Sequence, residues 1–588
     1  MHRRSFASRL RCQCRRSAGG DTHGDSPESP SCPLLPPGLS LAVVTPLHQS
    51  VAMADSGLLA SALARAARDD YPAWLTHVKA AAACTRPVRL AGSMTTVEAA
   101  TGRILSERHT ADLPDGVIYK PCGNRREQVC PSCSKLYQRD AYQVVRTGLV
   151  GGKGVTEDVA RHPAVFPTLT APSFGEVHTR VVTRHSCGKR KGCDCRPEPC
   201  HARRDAAICP HGQRMVCYSR HDDDDPRLGA PLCLDCYDHQ AQVVWNLMAG
   251  ELWRRTTIAV LRYLRSLATK RRIPFHPVPY VRGGKTRVKW VAPFRLSFGK
   301  VAEMQRRGVV HFHAIVRLDG HDPDQPDTIL PPPAGLDAAD LVAAIDHATR
   351  NVAFYSPPHP EHRDGWPIRW GRHNLTKVIT VAADGEVTDG QVANYLAKYA
   401  TKSTEVTGHT ANRLTNDTID LFADGHGSHT ERLVDACWRL AHARWTCPAA
   451  RACHHHTGTP VDGRPGPGCL ACTVRRRYAA NPDANPYPRL RRWAHMLGFG
   501  GHFLTKSRRY SITFTFLRDQ RVVFRRTQTA GSDLAGTAEQ PTTLVVNFLA
   551  FVGAGWKTPA DAMLANTSAA MAREHQEAAR EALQTMAA

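Results

Sequence analysis

The alternation of apolar and polar residues predicts a β-hairpin near the middle of the chain. One stretch covers residues 294–304, a polar turn covers 305–308, and a second stretch covers 309–318. Successive side chains of a strand point to opposite faces, so each stretch can pack one face against a core. A run of β-forming residues at 164–170 predicts a further strand. These segments favour a sheet at the centre of the fold.

Helical spacing of apolar residues is found on both sides of this predicted sheet. It is present at 57–83, 238–270, 338–349 and 392–402, and again in the Ala-rich end of the chain. Residues 86–120 instead have the pattern of short strands. The mixture predicts an α+β protein with a central antiparallel sheet and flanking helices.

Changes in composition divide the chain into regions. Residues 1–54 mix Arg, Pro and Ser without periodicity, which is typical of disorder. Four further regions follow: an N-terminal region with the first Cys cluster at 55–160, a core at 161–410 with a Cys-rich insertion at 185–240, an irregular insertion containing Cys and His at 411–485, and a basic C-terminal region with a final helix at 486–588.

Basic residues outnumber acidic ones. The chain has 77 Lys and Arg against 53 Asp and Glu, a formal charge of +24. Such a surplus favours a polyanionic partner such as nucleic acid, although a GC-rich genome also raises the Arg content. No stretch approaches the roughly 20 apolar residues that are needed to cross a bilayer. We therefore expect a soluble, cytoplasmic protein with no membrane partner.

Two histidines lie in the second strand of the predicted hairpin. His311 and His313 flank Phe312, so both imidazoles share one face of the strand. Two neutral imidazoles at this spacing can hold one divalent ion and leave positions open for a phosphate oxygen. A loop of odd length would place Glu303 beside His311 as a third ligand, whereas an even loop would favour Gln305. The tripeptide alone is also compatible with two ordinary hydrogen-bonded histidines.

A predicted helix carries two tyrosines and two lysines. Tyr395 and Tyr399 are one helical turn apart, as are Lys398 and Lys402. Tyrosine ionises near pH 10, so a nucleophilic tyrosine needs a nearby cation, and a lysine can also neutralise the attacked phosphate. An amphipathic helix with solvated lysines would show the same pattern. Combined with the H-x-H strand, however, the helix favours attack of a tyrosine on a metal-polarised phosphate.

An H-x-H strand followed by a Y-x-x-K helix resembles the HUH endonucleases, which include rolling-circle replication initiators and relaxases. Residues 165–170 resemble the first motif of that superfamily, His311 and His313 the second, and residues 395–402 the third.

The chain is also similar, over roughly residues 85–520, to the replication initiators of actinobacterial plasmids and integrative elements. This similarity rests on whole phrases at 169–175, 305–313, 399–403 and 500–510.

The resemblance implies an HUH-type core and a bacterial, cytoplasmic enzyme that nicks single-stranded origin DNA. Its cofactor would be Mg²⁺ or Mn²⁺, and its products a 5′-phosphotyrosyl link and a 3′-OH primer for rolling-circle replication. Host helicase and polymerase would be partners. Single-tyrosine initiators carry the nucleophile where this chain has Tyr399, and a glutamate where it has Tyr395. We therefore expect Tyr399 to act first and Tyr395 to be a second acceptor.

The cysteines occur in clusters that are typical of structural zinc ligation. Two C-x2-C pairs lie far apart in the sequence and, if paired with each other, would form one four-cysteine zinc site. Other cysteines could hold further ions, and free thiols are the alternative. The candidates are the pairs Cys130–Cys133 and Cys233–Cys236, then Cys122, Cys187, Cys193, Cys195, Cys200, Cys209, His211 and Cys217, and finally Cys447, Cys453, Cys469 and Cys472, with the three histidines at 454–456 as alternative ligands of the last cluster.

A basic stretch near the C-terminus is a candidate DNA contact. Lys506, Arg508 and Arg509 could bind phosphates, since Lys and Arg supply most sequence-independent affinity, although they could equally form a solvated face.

Two other functions fit the same residues. A relaxase or transposase of the superfamily would share the chemistry. A zinc-finger DNA-binding regulator would need neither the H-x-H strand nor the tyrosine helix. A helicase of the P-loop type is excluded, because the chain has no G-x-x-x-x-G-K-[ST] motif.

Overall fold

The computed structural model describes residues 57–182, 197–205, 207–379, 389–401, 413–419, 427–442, 485–529 and 543–587, together with residues 407 and 481. Residues 57–66 form a helix, α1, within a separate N-terminal unit that ends at Ala66. All other elements belong to the unit that begins at Ala67. The expected disorder of residues 1–54 concerns a segment outside the described residues.

The larger unit mixes strands and helices, as the sequence predicts. Its strands are β1 (Val88–Glu98), β2 (Ile104–His109), β3 (Ile118–Lys120), β4 (Ala164–Leu169), β5 (His276–Arg282), β6 (Lys285–Val291), β7 (Phe294–Met304), β8 (Val310–Gly320), β9 (Ala353–Tyr355), β10 (Pro367–Arg369), β11 (Leu375–Val378), β12 (Leu504–Lys506) and β13 (Thr543–Ala554).

Its α-helices surround these strands. They are α2 (Tyr71–Val78), α3 (Pro131–Val150), α4 (His239–Lys270), α5 (Ala338–Asn351), α6 (Asp389–Tyr399), α7 (Asn416–Ile419), α8 (His429–His442), α9 (Pro488–Arg492), α10 (Phe514–Thr529) and α11 (Pro559–Ala587). None of the helices in the described part of the chain is both long and apolar enough to cross a bilayer.

The central sheet has five antiparallel strands in the order β11–β4–β8–β7–β12. The middle strand, β8, is buried at every position. A strand that is buried on both faces must be covered by other elements on both sides of the sheet. The predicted hairpin and central antiparallel sheet are therefore confirmed.

Different helices cover the two faces of this sheet. On one face, Phe312 and Val316 pack with residues of α4, α5 and α8 in the main hydrophobic core. On the other face, Ile315 and Val301 pack with α3 and α6. Alternation along β8 places His311 and His313 on the same face as Ile315, so the histidines point toward the tyrosine helix.

The ring of Tyr510 closes the core between α3 and the sheet. It is fully buried, and its hydroxyl donates to the carbonyl of Val145 at 3.0 Å. Glycines leave the room for this ring, because a Cβ on Gly148 would lie 2.3 Å from it and one on Gly299 would lie 2.9 Å away. Tyr510 thus holds α3 against the central sheet.

A second sheet joins the two ends of the larger unit. Strand β1 pairs with β2, with β3 and, along its whole length, with β13. In this antiparallel register Val88 lies opposite Ala554 and Glu98 lies opposite Thr543.

Three features differ from the sequence predictions. Residues 131–150 form a long helix, α3, where only a Cys-rich region was expected. The segment 411–485 is not irregular throughout, because α8 packs Leu433 and Cys437 into the main core. The C-terminal region contributes β12 to the central sheet. Apolar residues of these segments become buried only through contacts with distant parts of the chain.

Candidate active site and metal-binding groups

The connection between β7 and β8 fixes which residues face the histidines. Met304 pairs with Val310, so residues 305–309 form the loop and Glu303 lies opposite His311. This odd loop length places Glu303 on the histidine face of the sheet. Gln305 is nevertheless also close, with its Nε2 3.3 Å from Nδ1 of His311. The structure thus brings both candidate third ligands to the histidines.

Each histidine has hydrogen-bond partners. Nε2 of His313 lies 3.0 Å from Oε2 of Glu303, and its Nδ1 lies 3.2 Å from Oγ1 of Thr168 on β4. Burial, and secondly the neighbouring His313, lower the pKa of His311 to about 3. His311 is therefore neutral at physiological pH, which is the form that binds metal ions.

The tyrosine helix lies directly over this face. Val392, Leu396 and Ala400 are buried against the sheet and α3, which turns the tyrosines toward β8. The ring centroid of His313 is 5.0 Å from that of Tyr395 and 5.5 Å from that of Tyr399. The two histidine rings are 4.6 Å apart and the two tyrosine rings 4.5 Å apart.

The two tyrosines interact with each other. Burial raises the pKa of Tyr395, and the hydrogen bond with Tyr399 raises it further. Lys398 is exposed on the outer side of the same helix. Lys402 lies outside the described residues.

A groove opens beside Tyr395 at the edge of the sheet. It has a volume of about 360 Å³. Its walls come from β4, β11 and α6, and they combine apolar side chains with one exposed lysine. The lining residues are Phe166, Thr168, Leu375, Lys377, Gln391, Val392 and Tyr395. In single-stranded nucleic acid, the bases can pack on aromatic and apolar side chains and the phosphates can pair with a lysine.

The side chains on this face include chemical groups that can bind a divalent cation. Carboxylate and amide oxygens are ligands of Mg²⁺ and Mn²⁺, whereas imidazole nitrogens favour divalent transition-metal ions over Mg²⁺. The nitrogens and oxygens are, however, engaged in the hydrogen bonds described above. In the described part of the chain, His311, His313 and Glu303 are not among the groups whose ligand atoms all lie within 4.8 Å of one another. A bound cation would have to replace those hydrogen bonds.

Three other groups do have that compact geometry, and each could hold a metal ion such as zinc. The first comprises Cys84, Cys122, Cys130 and Cys133. Sγ of Cys84 lies 3.8 Å from Sγ of both Cys130 and Cys133, and it accepts the backbone N–H of Cys122 at 3.3 Å. Four thiolates in this arrangement suit a tetrahedral structural ion.

This first group is connected to the tyrosine helix. Arg125 lies in the loop between Cys122 and Cys130, and its Nη1 donates to the carbonyl of Ala400 at 3.0 Å. Its guanidinium also lies 3.6 Å from the ring centroid of Phe503. A cation at the carboxyl end of a helix stabilises it, so the cysteine loop supports the position of α6.

The second group is formed by His178, Cys200, Cys217 and His221. Nδ1 of His221 lies 2.7 Å from Oδ2 of Asp225, a carboxylate that orients the ring and leaves Nε2 for a metal ion.

The third group is formed by Cys209, His211, Cys233 and Cys236. Nδ1 of His211 lies 3.2 Å from Sγ of Cys236.

The pairing of the two C-x2-C motifs with each other is therefore wrong. Cys130 and Cys133 pair with earlier cysteines, whereas Cys233 and Cys236 pair with residues of the insertion. The reason is local: each C-x2-C finds partners within about fifty residues, which costs less loop-closure entropy than a distant pairing. Cys187, Cys193, Cys195, Cys447, Cys453, Cys469 and Cys472 lie outside the described residues.

Three ligands of these groups were absent from the predicted set. Cys84 is a single cysteine 38 residues before Cys122, so no spacing motif marks it. The other two, His178 and His221, are scattered histidines. Short C-x-x-C and C-x-H spacings were the main signal in the sequence, and none of these three residues has one.

The basic stretch near the C-terminus has mixed surroundings. Nζ of Lys506 donates to the carbonyl of Ser511 at 2.8 Å, and Arg509 pairs with Asp327 at 2.7 Å. Arg508 is exposed. Two of the three predicted phosphate contacts are thus engaged within the protein.

Known proteins resemble this chain over most of its length. A family model described as "Replication initiator protein, pSAM2" (RepSA) matches residues 70–570, a range that includes the hairpin, the tyrosine helix and the three cysteine groups. A "Replication initiator protein" of Streptomyces ambofaciens is 33% identical over 533 residues, which cover 90% of this chain and 96% of the relative. No solved structure matches the chain.

Proposed function

This chain belongs to the pSAM2 family of replication initiator proteins, and we propose that it starts replication by cutting one DNA strand with a tyrosine. A plasmid replication initiator acts on origin DNA. The basic charge of +24 is consistent with such a partner. The relatives favour an initiator over a relaxase or transposase.

The convergence of two histidines and two tyrosines on one face carries this proposal. The rings of His311, His313, Tyr395 and Tyr399 form a continuous cluster with neighbouring centroids 4.5–5.5 Å apart. The parts of the cluster come from strand and helix residues more than 80 positions apart in sequence. A DNA-binding regulator without catalysis has no use for such a cluster.

In the proposed reaction the phenolic oxygen of Tyr399 attacks a backbone phosphorus. The new bond joins Oη to phosphorus, the bond from phosphorus to the 3′-oxygen breaks, and the phenolic proton leaves while the 3′-oxygen gains one. The products are a 5′-phosphotyrosyl link and a free 3′-OH that primes synthesis. His311, His313 and either Glu303 or Gln305 would hold a Mg²⁺ or Mn²⁺ ion, which would supply positive charge to the phosphate.

The surroundings of Tyr395 support Tyr399 as the first nucleophile. Burial, and secondly the hydrogen bond with Tyr399, raise the pKa of Tyr395 and thereby disfavour its phenolate. Tyr395 is then available for a second cut, after Tyr399 has become linked to DNA. Lys398, Lys402 and Arg508 are proposed contacts for the phosphates of the strand.

The test is a nicking assay on single-stranded DNA from the element that encodes the chain. Wild-type protein should form a covalent adduct, and mass spectrometry should locate it on Tyr399. The double variant His311→Ala/His313→Ala should be folded, with unchanged zinc content, but inactive. Undiminished cleavage by this variant, or cleavage in EDTA, would overturn the proposed mechanism.

A further inference from the structure

Arg307 lies in the β7–β8 loop, one side chain away from the proposed metal ligands. Its Nε donates to Oε1 of Gln305 at 3.0 Å. A guanidinium has only donors, so the amide NH₂ of Gln305 must face His311, 3.3 Å from Nδ1. The Gln305 amide therefore connects the guanidinium of Arg307 to the histidine face.

This guanidinium has no carboxylate partner among the residues that the structure describes. Its Nη1 also makes a long hydrogen bond of 3.4 Å to the carbonyl of Pro172. Burial lowers the pKa of Arg307, and the acidic group that opposes this effect is the phenol of Tyr237. A largely buried cation without an anion is costly.

Two other buried or half-buried arginines are each compensated by a carboxylate. Arg317 is fully buried and makes two hydrogen bonds to Asp319, at 2.6 and 2.9 Å. Arg432 pairs with Asp235 at 2.6 Å. Among the residues that the structure describes, Arg307 has no such carboxylate, although it lies beside the proposed site.

The backbone around Arg307 is held in place. Its carbonyl accepts hydrogen bonds from Nε2 of Gln242 and Nε2 of His429, both at 2.9 Å. Gly308 follows with a φ of +75°, and a Cβ there would lie 2.7 Å from Leu497. A fixed backbone reduces the conformational entropy that ligand binding must remove.

We propose that Arg307 binds a phosphodiester group of the DNA strand beside His311. This inference rests on the proposed function, because it takes the histidine face as the place where the strand lies. The planar guanidinium suits the two non-bridging oxygens of a phosphate, and the phosphate would supply the anion that Arg307 lacks among the described residues. Arg307 would hold the strand in position.

The experiment measures binding of single-stranded origin DNA in EDTA, so that neither metal binding nor cleavage is involved. Oligonucleotides carry one neutral methylphosphonate at each backbone position in turn. At one position, the methylphosphonate should weaken binding of the oligonucleotide to wild-type protein about 10-fold, which is typical of the loss of a charge-assisted contact. Arg307→Met should weaken binding of unmodified DNA to a similar degree, and it should be insensitive to the methylphosphonate at that same position.

Two further variants make the result specific. Arg262→Met, at an exposed position on α4, removes the same charge and should keep the wild-type sensitivity. Arg307→Lys keeps the charge but loses the planar fork, and it should bind with an affinity between those of wild-type protein and Arg307→Met. It also tests the inference if Arg307→Met does not fold. Full methylphosphonate sensitivity in both Arg307 variants would overturn the inference while leaving the nicking proposal intact. If wild-type protein forms no adduct on Tyr399 but the methylphosphonate results are as expected, the nicking proposal alone would be overturned.

Discussion

Oε2 of Glu303 lies 3.0 Å from Nε2 of His313, across the ladder that joins β7 and β8. The two groups share one proton in this arrangement, and a divalent cation could replace that proton. Glu303→Gln keeps the shape of the side chain but removes its charge. We predict that the metal concentration for half-maximal nicking rises about 10–100-fold in this variant.

The measurement is a titration of nicking rate with Mn²⁺. Glu251→Gln, in a surface ion pair on α4, serves as the control and should match wild-type protein. An unchanged metal requirement in Glu303→Gln would exclude Glu303 as a ligand and favour Gln305.

The two tyrosines should have separable roles. Tyr399→Phe should abolish the covalent adduct, because it removes the first nucleophile. Tyr395→Phe should still nick, but it should impair the second cut that releases a circular product, because Tyr399 is then already linked to DNA. A gel assay that resolves adduct from rejoined circles measures both steps. An adduct found on Tyr395 in wild-type protein would contradict this order.

The first cysteine group should hold one zinc ion. Cys84→Ser should lower the zinc content by about one ion per chain and lower the melting temperature, since structural zinc contributes directly to folding. Cys437→Ser is the matched control: Cys437 is fully buried but belongs to none of the three groups. Elemental analysis of both variants measures the difference. Equal zinc contents would rule out Cys84 as a ligand.

A buried lysine should make stability depend on pH. Lys300 on β7 is nearly fully buried, with its Nζ 3.7 Å from the ring centroid of Phe312, and burial lowers its pKa to about 7. The unfolded chain holds this proton up to about pH 10.4, so folding must release it between those two values. The cost is fully present below pH 7 and disappears as the pH rises toward 10.4.

Lys300→Met should therefore be more stable than wild-type protein by about 1–3 kcal/mol at pH 6.5, after allowing for the lost cation–π contact. The difference should shrink steadily up to pH 10. Urea unfolding of the two proteins at several pH values measures it. A constant difference over this range would mean that Lys300 does not titrate as its burial implies.

The sequence predicted the elements that carry local signals. The hairpin at 294–318 follows from alternation, and the common face of Tyr395 and Tyr399 follows from their spacing. The choice between Glu303 and Gln305 depended on whether the loop between β7 and β8 has an odd or an even number of residues. The sequence alone leaves that number open. Even the structure brings both residues within reach of a histidine.

The features that sequence missed depend on long-range contacts. Part of helix α3 is buried by Tyr510, more than 350 positions later, whose ring packs against Gly148. Cys84 has no cysteine near it in sequence, and the pairing of β3 with β1, in which Val88 lies opposite Lys120, brings Cys122 to it. Arg307 lies within the phrase 305–313, but nothing in that phrase distinguishes it from Arg306, because its distinguishing property is the lack of a carboxylate partner among the described residues.

The pairing of β1 with β13 bears on how the protein is made. Residues 88–98 leave the ribosome long before residues 543–554, so β1 must wait for nearly the whole chain to be synthesised before its longest partner arrives. During that interval its edge can pair with other nascent chains. Strand β12 and Tyr510 also emerge late, so an incomplete polypeptide lacks parts of the central sheet and its packing. Translation through residue 554 is thus a condition for complete assembly of the sheets that support the histidine–tyrosine cluster.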